Sequence, residues 1–514
     1  MSTLDTDLPD GATAIAVEPV VVGRQDPRYG DLVRGINQRF VGQPDYVALP
    51  SSTRQVRQLV QDAVRRGKRV TARGGGHCYE NFAADPAQQV VIDLSQLRAV
   101  YYDPAVGAIA VEAGATLIDV YEGLYKRYGV TLPGGSCPTV GVGGHLAGGG
   151  YGPLSRLHGL TVDHLYAVEV VVVDGHGNAR TVLATRDGDD PDHDLWWAHT
   201  GGGGGNFGIV TRYFLRSPGA PRTDPARMLP KPPPQLWLLQ VAWSWDQLTE
   251  QGFTRLIQNF GSWHEQNSAP DSPYAGLFSQ LKPAHRSSGS IVLDVQIDAS
   301  LPNAEHLLDA YLAALNEGVG ADPFTQVRVR LPWLHAAQWM GFFGGDPTVR
   351  FKAKSAYMRT AFPADQIAAI YRAMTRTDYQ HPYAMIMLTS YGGHINTVPP
   401  TATAVPSRDS VIKLHYIVFW ADPTDDERHI AWIRDLYQDV YAATGGVPVP
   451  NQVTDGCYVN YADTDLSDPA RNTSGVPWST LYYGENYPRL RRVKAAYDPA
   501  NRFRHAQSIE LPAR

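Results

Sequence analysis

The chain has 514 residues, 43% of them apolar and 19% charged, a balance that fits a folded globular protein and excludes a disordered one. Its formal net charge of −6 offers no basic field to a phosphate backbone, so no nucleic-acid partner is expected. No apolar run approaches the roughly 18 residues of a membrane span, and the acidic residues 1–19 lack the basic and apolar pattern of a secretory signal. A cytoplasmic location without a membrane partner is therefore expected.

Such a length exceeds one hydrophobic core and implies about two to four domains. In chain order, residues 45–52 predict a short strand, and the next segment places Val56, Leu59, Val60, Ala63 and Val64 at helical spacing up to Gly67. A strand over 68–72 then runs into RGGGHCYENF, where three glycines deliver His77 and Cys78 at a loop. Strands are predicted at 90–94 and 108–114, followed by an amphipathic helix through Leu117, Val120, Tyr121 and Leu124 that Gly129 stops.

The stretch 133–160, PGGSCPTVGVGGHLAGGGYGPLSRLHGL, is so dense in glycine that it reads as a loop throughout, because glycine loses the most backbone entropy on ordering. Beyond it come a hairpin turning at Asp174 to Asn178, a short helix in DHDLWWAHT, and a third glycine cluster (201–208) feeding a strand from Ile209 to Leu215. The proline-rich residues 218–234 read as a semi-rigid boundary. Residues 235–446 alternate amphipathic strands, such as Ile291, Leu293, Val295 and Ile297, with helices at 302–317, in PADQIAAIYRAM and in DDERHIAWIRDLYQDVYAATGG. This pattern predicts an antiparallel sheet with helices on one face. The texture changes again from Val447 onward.

Three glycine clusters in one half of the chain point to backbone nests that hold the pyrophosphate of a large cofactor. Gly203-x-Gly205-x-x-Gly208 matches the dinucleotide fingerprint as a string, but a strand follows it where that fingerprint needs a helix. No phosphate-binding G-x-x-x-x-G-K-[ST] occurs, and Gly134-x-Ser136-x-Pro138 lacks the final glycine of a nucleophile elbow. Three cysteines, Cys78, Cys137 and Cys457, form neither a disulfide framework nor a zinc spacing. The Asp463 to Asp468 run lacks the glycine and glutamate of a calcium loop, so no metal is expected.

The segments RGGGHCYENF, GGSCPTVGVGGHLAGGGYG, DLWWAHTGGGGGNFGIV, CYVNYADTDL and YYGENYPRLRRVKAAYDPANRFRHAQSI, in this order, resemble the berberine bridge enzyme-like oxidases of the vanillyl-alcohol oxidase superfamily. The resemblance covers nearly the whole chain and is nearest to bacterial members that oxidise sugars or glycosylated antibiotics. One departure is R-G-G-G-H where the family more often has R-S-G-G-H. The fold implied is α+β: an FAD-binding domain from residues 1–220, completed by a returning C-terminal segment 447–514, and a substrate domain at 221–446 with an antiparallel sheet and flanking helices.

The resemblance further implies FAD bound covalently twice, from His77 to the flavin 8α-methyl and from Cys137 to the 6-position. Arg73, Gly74, Gly75, Gly76, Val140, Gly141, Gly143, Gly144, His145, Gly149, Gly150, Gly208, Val210 and Asn460 would line the cofactor. Imidazole and thiolate are suitable nucleophiles, and a glycine nest helps to depress a thiol pKa. Tyr461 is implied as the base that takes a substrate hydroxyl proton, with Tyr458 lining the site. If the segment is extended, the two face opposite sides. His394 or an unidentified arginine would stabilise the phenolate, and Tyr391 and Tyr79 would contact substrate. Val140, three residues after Cys137, matches a gate position where valine accompanies reactivity with molecular oxygen. The expected partners are thus a sugar or glycosylated metabolite and oxygen, in a monomer or homo-oligomer. A flavin dehydrogenase and a non-catalytic metabolite-binding flavoprotein are the alternatives.

Overall fold

The structure, a computed structural model, describes residues 18–339 and 346–513; the acidic residues 1–17 lie outside them. Three sheets organise the described residues. Strands β1 (Val20–Gly23), β2 (Tyr46–Leu49), β3 (Val70–Arg73) and β4 (Val90–Asp93) form the first in the order β1-β2-β4-β3, with β2, β4 and β3 parallel. The helix Thr53–Arg65 links β2 to β3. Ser52 caps its N-terminus, and it buries Val56, Leu59, Val60 and Ala63 as their spacing predicts.

The second sheet holds β5 (Val100–Asp103), β6 (Ala108–Glu112), β7 (Leu165–Val173), β8 (Ala179–Thr185) and β9 (Ile209–Leu215) in the antiparallel order β5-β6-β9-β7-β8. The helix Leu117–Tyr128 ends at Gly129, whose φ of 66° is the left-handed stop expected there. One expectation fails here. Within the glycine-dense stretch, Val142–Ala147 is helical. Tertiary packing overrides propensity: Gly143 lies so close to the Ala113 carbonyl that a Cβ would approach it to 2.8 Å, so only glycine lets this turn dock on the sheet.

The third sheet is wholly antiparallel. Its strands are β10 (Gln235–Ser244), β11 (Phe278–Lys282), β12 (Ser290–Asp298), β13 (Phe324–Pro332), β14 (Arg350–Met358), β15 (Ala384–Ser390) and β16 (Ile412–Trp420), in the order β13-β10-β12-β11-β15-β16-β14. Helices Glu250–Gln266, Ala304–Asn316, Ala364–Thr375 and Asp426–Val440 cover one face, where Ile291, Leu293, Val295 and Ile297 are fully buried. The helix Glu250–Gln266 and strands β11 and β14 were not read from the sequence. The proline-rich boundary is no free spacer: Met228 is fully buried, and the Ser217 and Thr131 amides donate to the Met228 and Pro230 carbonyls.

The C-terminal segment returns to the N-terminal half. Fully buried Lys494, on the helix Tyr487–Tyr497, donates to the carbonyls of Asn206 (2.6 Å) and Phe503 (2.6 Å) and pairs with Asp498. This ties the helix to the third glycine cluster. A second buried cluster sets Lys352 and Lys354 of β14 against Glu80, Asp463 and Asp465, with Arg434 on the outer side of Asp465. Burying these charges is tolerable only because each has an opposite partner. The aspartates are therefore internal ion-pair partners that fasten the 458–465 segment to the third sheet and to the loop after His77. Among the described residues no helix is long and apolar enough to cross a membrane.

Candidate active site

Two glycine loops meet edge to edge and set the geometry of the floor. A Cβ on Gly75 would come within 2.3 Å of the Gly141 nitrogen, so this backbone contact requires glycine. It delivers His77, on the loop after β3, and Cys137, at the mouth of the second cluster, to a common hydroxyl. Thr139 Oγ1 lies 3.0 Å from His77 Nε2 and 3.6 Å from Cys137 Sγ. Burial lowers the His77 pKa to about 4, so its imidazole is neutral at pH 7 and keeps a lone pair free for bonding. Arg73 is not free to reach a ligand as a lone charge. It is paired with Asp93 and donates to the Arg34 carbonyl at 3.0 Å.

Above this floor opens a cavity of about 1160 Å³. Its lining includes Arg73 to His77, Cys137, Val140, Gly141, Gly143, Gly144, His145, Gly208, Val210 and Asn460. The volume exceeds the roughly 300–1,000 Å³ of a usual small-molecule pocket, leaving room for a large cofactor and a substrate together. The glycines fit a phosphate-bearing group. A Cβ on Gly144 would meet nothing within 4 Å and one on Gly204 nothing closer than 4.0 Å, so both present bare backbone to the open space. Gly149 and Gly150 do not line the cavity. They are folded under it with φ of 109° and 69°, where a Cβ on Gly150 would press on Thr161 at 2.4 Å. The Gly135 amide donates to His145 Nε2 at 3.2 Å, and burial keeps that imidazole neutral, with its pKa lowered to about 4.

The roof is the uncovered face of the third sheet, and its reactive corner is aromatic. Tyr458 and Tyr461 are not on an extended strand. The Tyr461 amide donates to the Tyr458 carbonyl at 2.9 Å, a turn that brings the two rings to 5.0 Å, edge to face. Tyr79 stacks on Tyr461 at 5.3 Å, and His415 stacks on its ring at 4.0 Å. Lys413 of β16, only 3% exposed, places Nζ 4.0 Å from the Tyr461 ring centre, 4.2 Å from that of Tyr458 and 4.7 Å from that of Tyr151. No carboxylate among the described residues pairs with it. Burial drives its pKa well below the ordinary lysine value, and three ring quadrupoles partly offset the lost hydration.

The two tyrosines differ in their support. Burial raises Tyr458 to about 12, but Asn460 Nδ2 donates to its oxygen at 3.0 Å and the Gly150 amide favours its phenolate. Gly148 makes this possible, since a Cβ there would fall 2.1 Å from the Asn460 side chain. Tyr461 is pushed well above 10 by burial and by neighbouring tyrosines, with no donor opposing the shift.

Two expected site residues lie elsewhere. Tyr391 is fully buried outside the cavity and donates to the Ser407 carbonyl at 3.0 Å. His394 is exposed on the short helix Gly393–Thr397, away from the tyrosines. The cause is local: Gly392 and Gly393, with φ of 84° and 63°, turn the chain against Arg156, where a Cβ on Gly393 would meet a carbonyl at 2.3 Å. The basic group that stands against these tyrosine rings is Lys413, not His394. Cys78 opens onto the cavity beside His77, and Cys457 is buried against the Tyr437 hydroxyl at 3.4 Å.

A cavity floored by glycine loops, bare of side chains where a pyrophosphate would lie, defines a flavoprotein-type nucleotide site. Similarity to known proteins agrees. Residues 44–177 match the FAD binding domain model, and residues 457–510 match the berberine and berberine like model. The chain is 52% identical over 503 residues to aclacinomycin-N/aclacinomycin-A oxidase of Streptomyces galilaeus, covering 98% of this chain and 92% of that one. It is 31% identical over 558 residues to hexose oxidase of Chondrus crispus, covering 99% and 98%. The structure of a glycopeptide hexose oxidase complexed with teicoplanin superposes with a TM-score of 0.91 at 51% identity, over 96% of this chain and 99% of that one. The protein belongs to the berberine bridge enzyme-like family of FAD-linked oxidoreductases.

Proposed function

We propose that this enzyme holds FAD through two covalent bonds, from His77 and Cys137, and oxidises an alcohol or hemiacetal carbon of a sugar or glycosylated metabolite, with molecular oxygen as acceptor. The observation that carries this reading is the convergence of His77 and Cys137 on Thr139 beneath a tyrosine cluster packed around one buried lysine. The hexose oxidase activities named for two of the relatives above, one of them a glycopeptide hexose oxidase complexed with teicoplanin, support the substrate class.

When bound, FAD supplies the acceptor of a hydride from the substrate carbon and passes the two electrons on to oxygen, giving hydrogen peroxide. The protein supplies position and a base. Tyr458 takes the hydroxyl proton at its phenolate oxygen, which Asn460 and the Gly150 amide stabilise, with Lys413 Nζ over its ring. Tyr461 and Tyr79 form a stacked wall that orients the reacting ring and keeps water from it. Val140 lines the cavity three residues from Cys137, at the position where the resemblance implies access for oxygen.

Oxygen uptake and peroxide release, measured over a panel of free sugars and glycosylated aglycones, test the reading. Peroxide formed in equal amount to product is expected. Turnover that needs an artificial acceptor and yields no peroxide would assign a dehydrogenase instead.

A further inference from the structure

The loop that carries His77 and Tyr79 and the turn that carries Tyr458 and Tyr461 come from distant parts of the chain. Their separation decides how a flavin held at His77 lies beneath the tyrosines. Among the described residues no backbone hydrogen bond joins 77–82 to 457–466. What joins them is a buried ammonium. Lys352 Nζ pairs with Glu80, three residues after His77, and lies 2.7 Å from an oxygen of Asp463, two residues after Tyr461. Lys352, Glu80 and Asp463 are only 2%, 5% and 1% exposed.

Both ends of this link are anchored. On the loop side, Asn37 Nδ2 donates to the Tyr79 carbonyl at 3.1 Å and to the Phe351 carbonyl at 3.0 Å, so adjacent residues of β14 hold adjacent residues of the loop. On the turn side, Lys354 takes the other Asp463 oxygen at 2.7 Å and Asp465 at 2.8 Å. The Asp463 amide donates to the Tyr482 hydroxyl and its carbonyl accepts from Gln507, each at 2.9 Å. Between the two ends Tyr79 lies flat against Tyr461, with their ring planes 2° apart.

The cluster is balanced in charge, Lys352, Lys354 and Arg434 facing Glu80, Asp463 and Asp465. Balance makes its burial tolerable, yet apolar side chains of similar volume would stabilise a core as well or better. What an ammonium between two carboxylates adds is a fixed direction and distance, which an apolar contact lacks. Within the cluster Lys354 and Arg434 pair with the aspartates, whereas Lys352 pairs with both sides. We propose that Lys352 is a positioning residue, which ties Glu80 to Asp463 and so sets the His77–Tyr79 loop at its working distance from the Tyr458–Tyr461 turn. The proposal rests on the covalent reading above.

Lys352→Met/Glu80→Leu removes the link and leaves two cations against two aspartates. Glu80→Gln keeps an oxygen for the ammonium, and Leu293→Ala, a truncation on the helix-covered face of the third sheet, controls for lost stability. Mass spectrometry of digested holoenzyme counts the flavin on each peptide, and hydrogen exchange is followed on the intact proteins. Small misplacements cost a bond-forming step heavily. In the double variant the share of chains with flavin on His77 should therefore fall about tenfold while the Cys137 bond, on a different loop, persists. Amides in 78–83 and 458–463 should together exchange about tenfold faster. Glu80→Gln and Leu293→Ala should keep the wild-type ratio of the two bonds. Glu80→Leu alone, which leaves Lys352 its aspartates, repeats the test if the double variant does not fold. Both bonds in full with unchanged exchange, or an equal loss of the two bonds, overturns the positioning role and leaves the covalent reading intact. A wild-type enzyme with no flavin on His77 overturns both.

Discussion

Tyr458→Phe is expected to lower the rate of flavin reduction by about 10²- to 10⁴-fold, the usual worth of a positioned general base, with little change in KM. Phenylalanine keeps the ring under Lys413 and removes only the oxygen that Asn460 addresses. Tyr461→Phe keeps the stack on Tyr79 and His415 and should cost far less. Stopped-flow reduction of the two variants separates the roles. A larger loss in Tyr461→Phe would return the base to the position that the family motif implies.

Lys413→Met should produce the second large effect, and its sign follows from charge. A buried tyrosine pushed to about 12 has little phenolate at neutral pH, and burial likewise disfavours the Lys413 ammonium, so each charge forms more readily when the other does. Without the lysine the tyrosine pKa rises, so reduction at pH 7 should slow by about tenfold for each unit of that rise, and the rising limb of the pH–rate profile should move to higher pH. An unchanged profile would mean that Lys413 serves packing alone. Tyr151 shares the same cation at 4.7 Å, and its hydroxyl is engaged by the Ser390 carbonyl, which fixes it as scaffold.

Much of the floor was legible in the sequence because backbone chemistry leaves a compositional trace. Glycine at 74–76, 141, 143–144 and 208 is where the chain approaches itself or the cavity, and His77 and Cys137 stand out as the reactive groups beside it. The roof was harder to read. Lys413 and His415 alternate within an apolar strand, a period-two signal that two polar residues share one face. Nothing local says that this face meets Tyr458 and Tyr461, because that meeting depends on the strand order of a seven-stranded sheet.

The misplacements have physical causes. His394 and Tyr391 flank two glycines whose left-handed φ turns the chain away from the cavity, a direction that sequence cannot supply. The helix at Val142–Ala147 was hidden because propensity argues against glycine in helices, while contact with Ala113 demands it. Asp463 and Asp465 were legible as a non-metal acidic pair, but their partners, Lys352 and Lys354, lie more than a hundred residues away on β14.

The state of the flavin tests the site most directly. After acid precipitation, the yellow colour should stay in the pellet for wild type and for His77→Ala and Cys137→Ala singly, each single variant keeping one bond. Only the double variant should release flavin into the supernatant. A colourless wild-type pellet would contradict covalent attachment, and colour retained by the double variant would contradict the choice of His77 and Cys137.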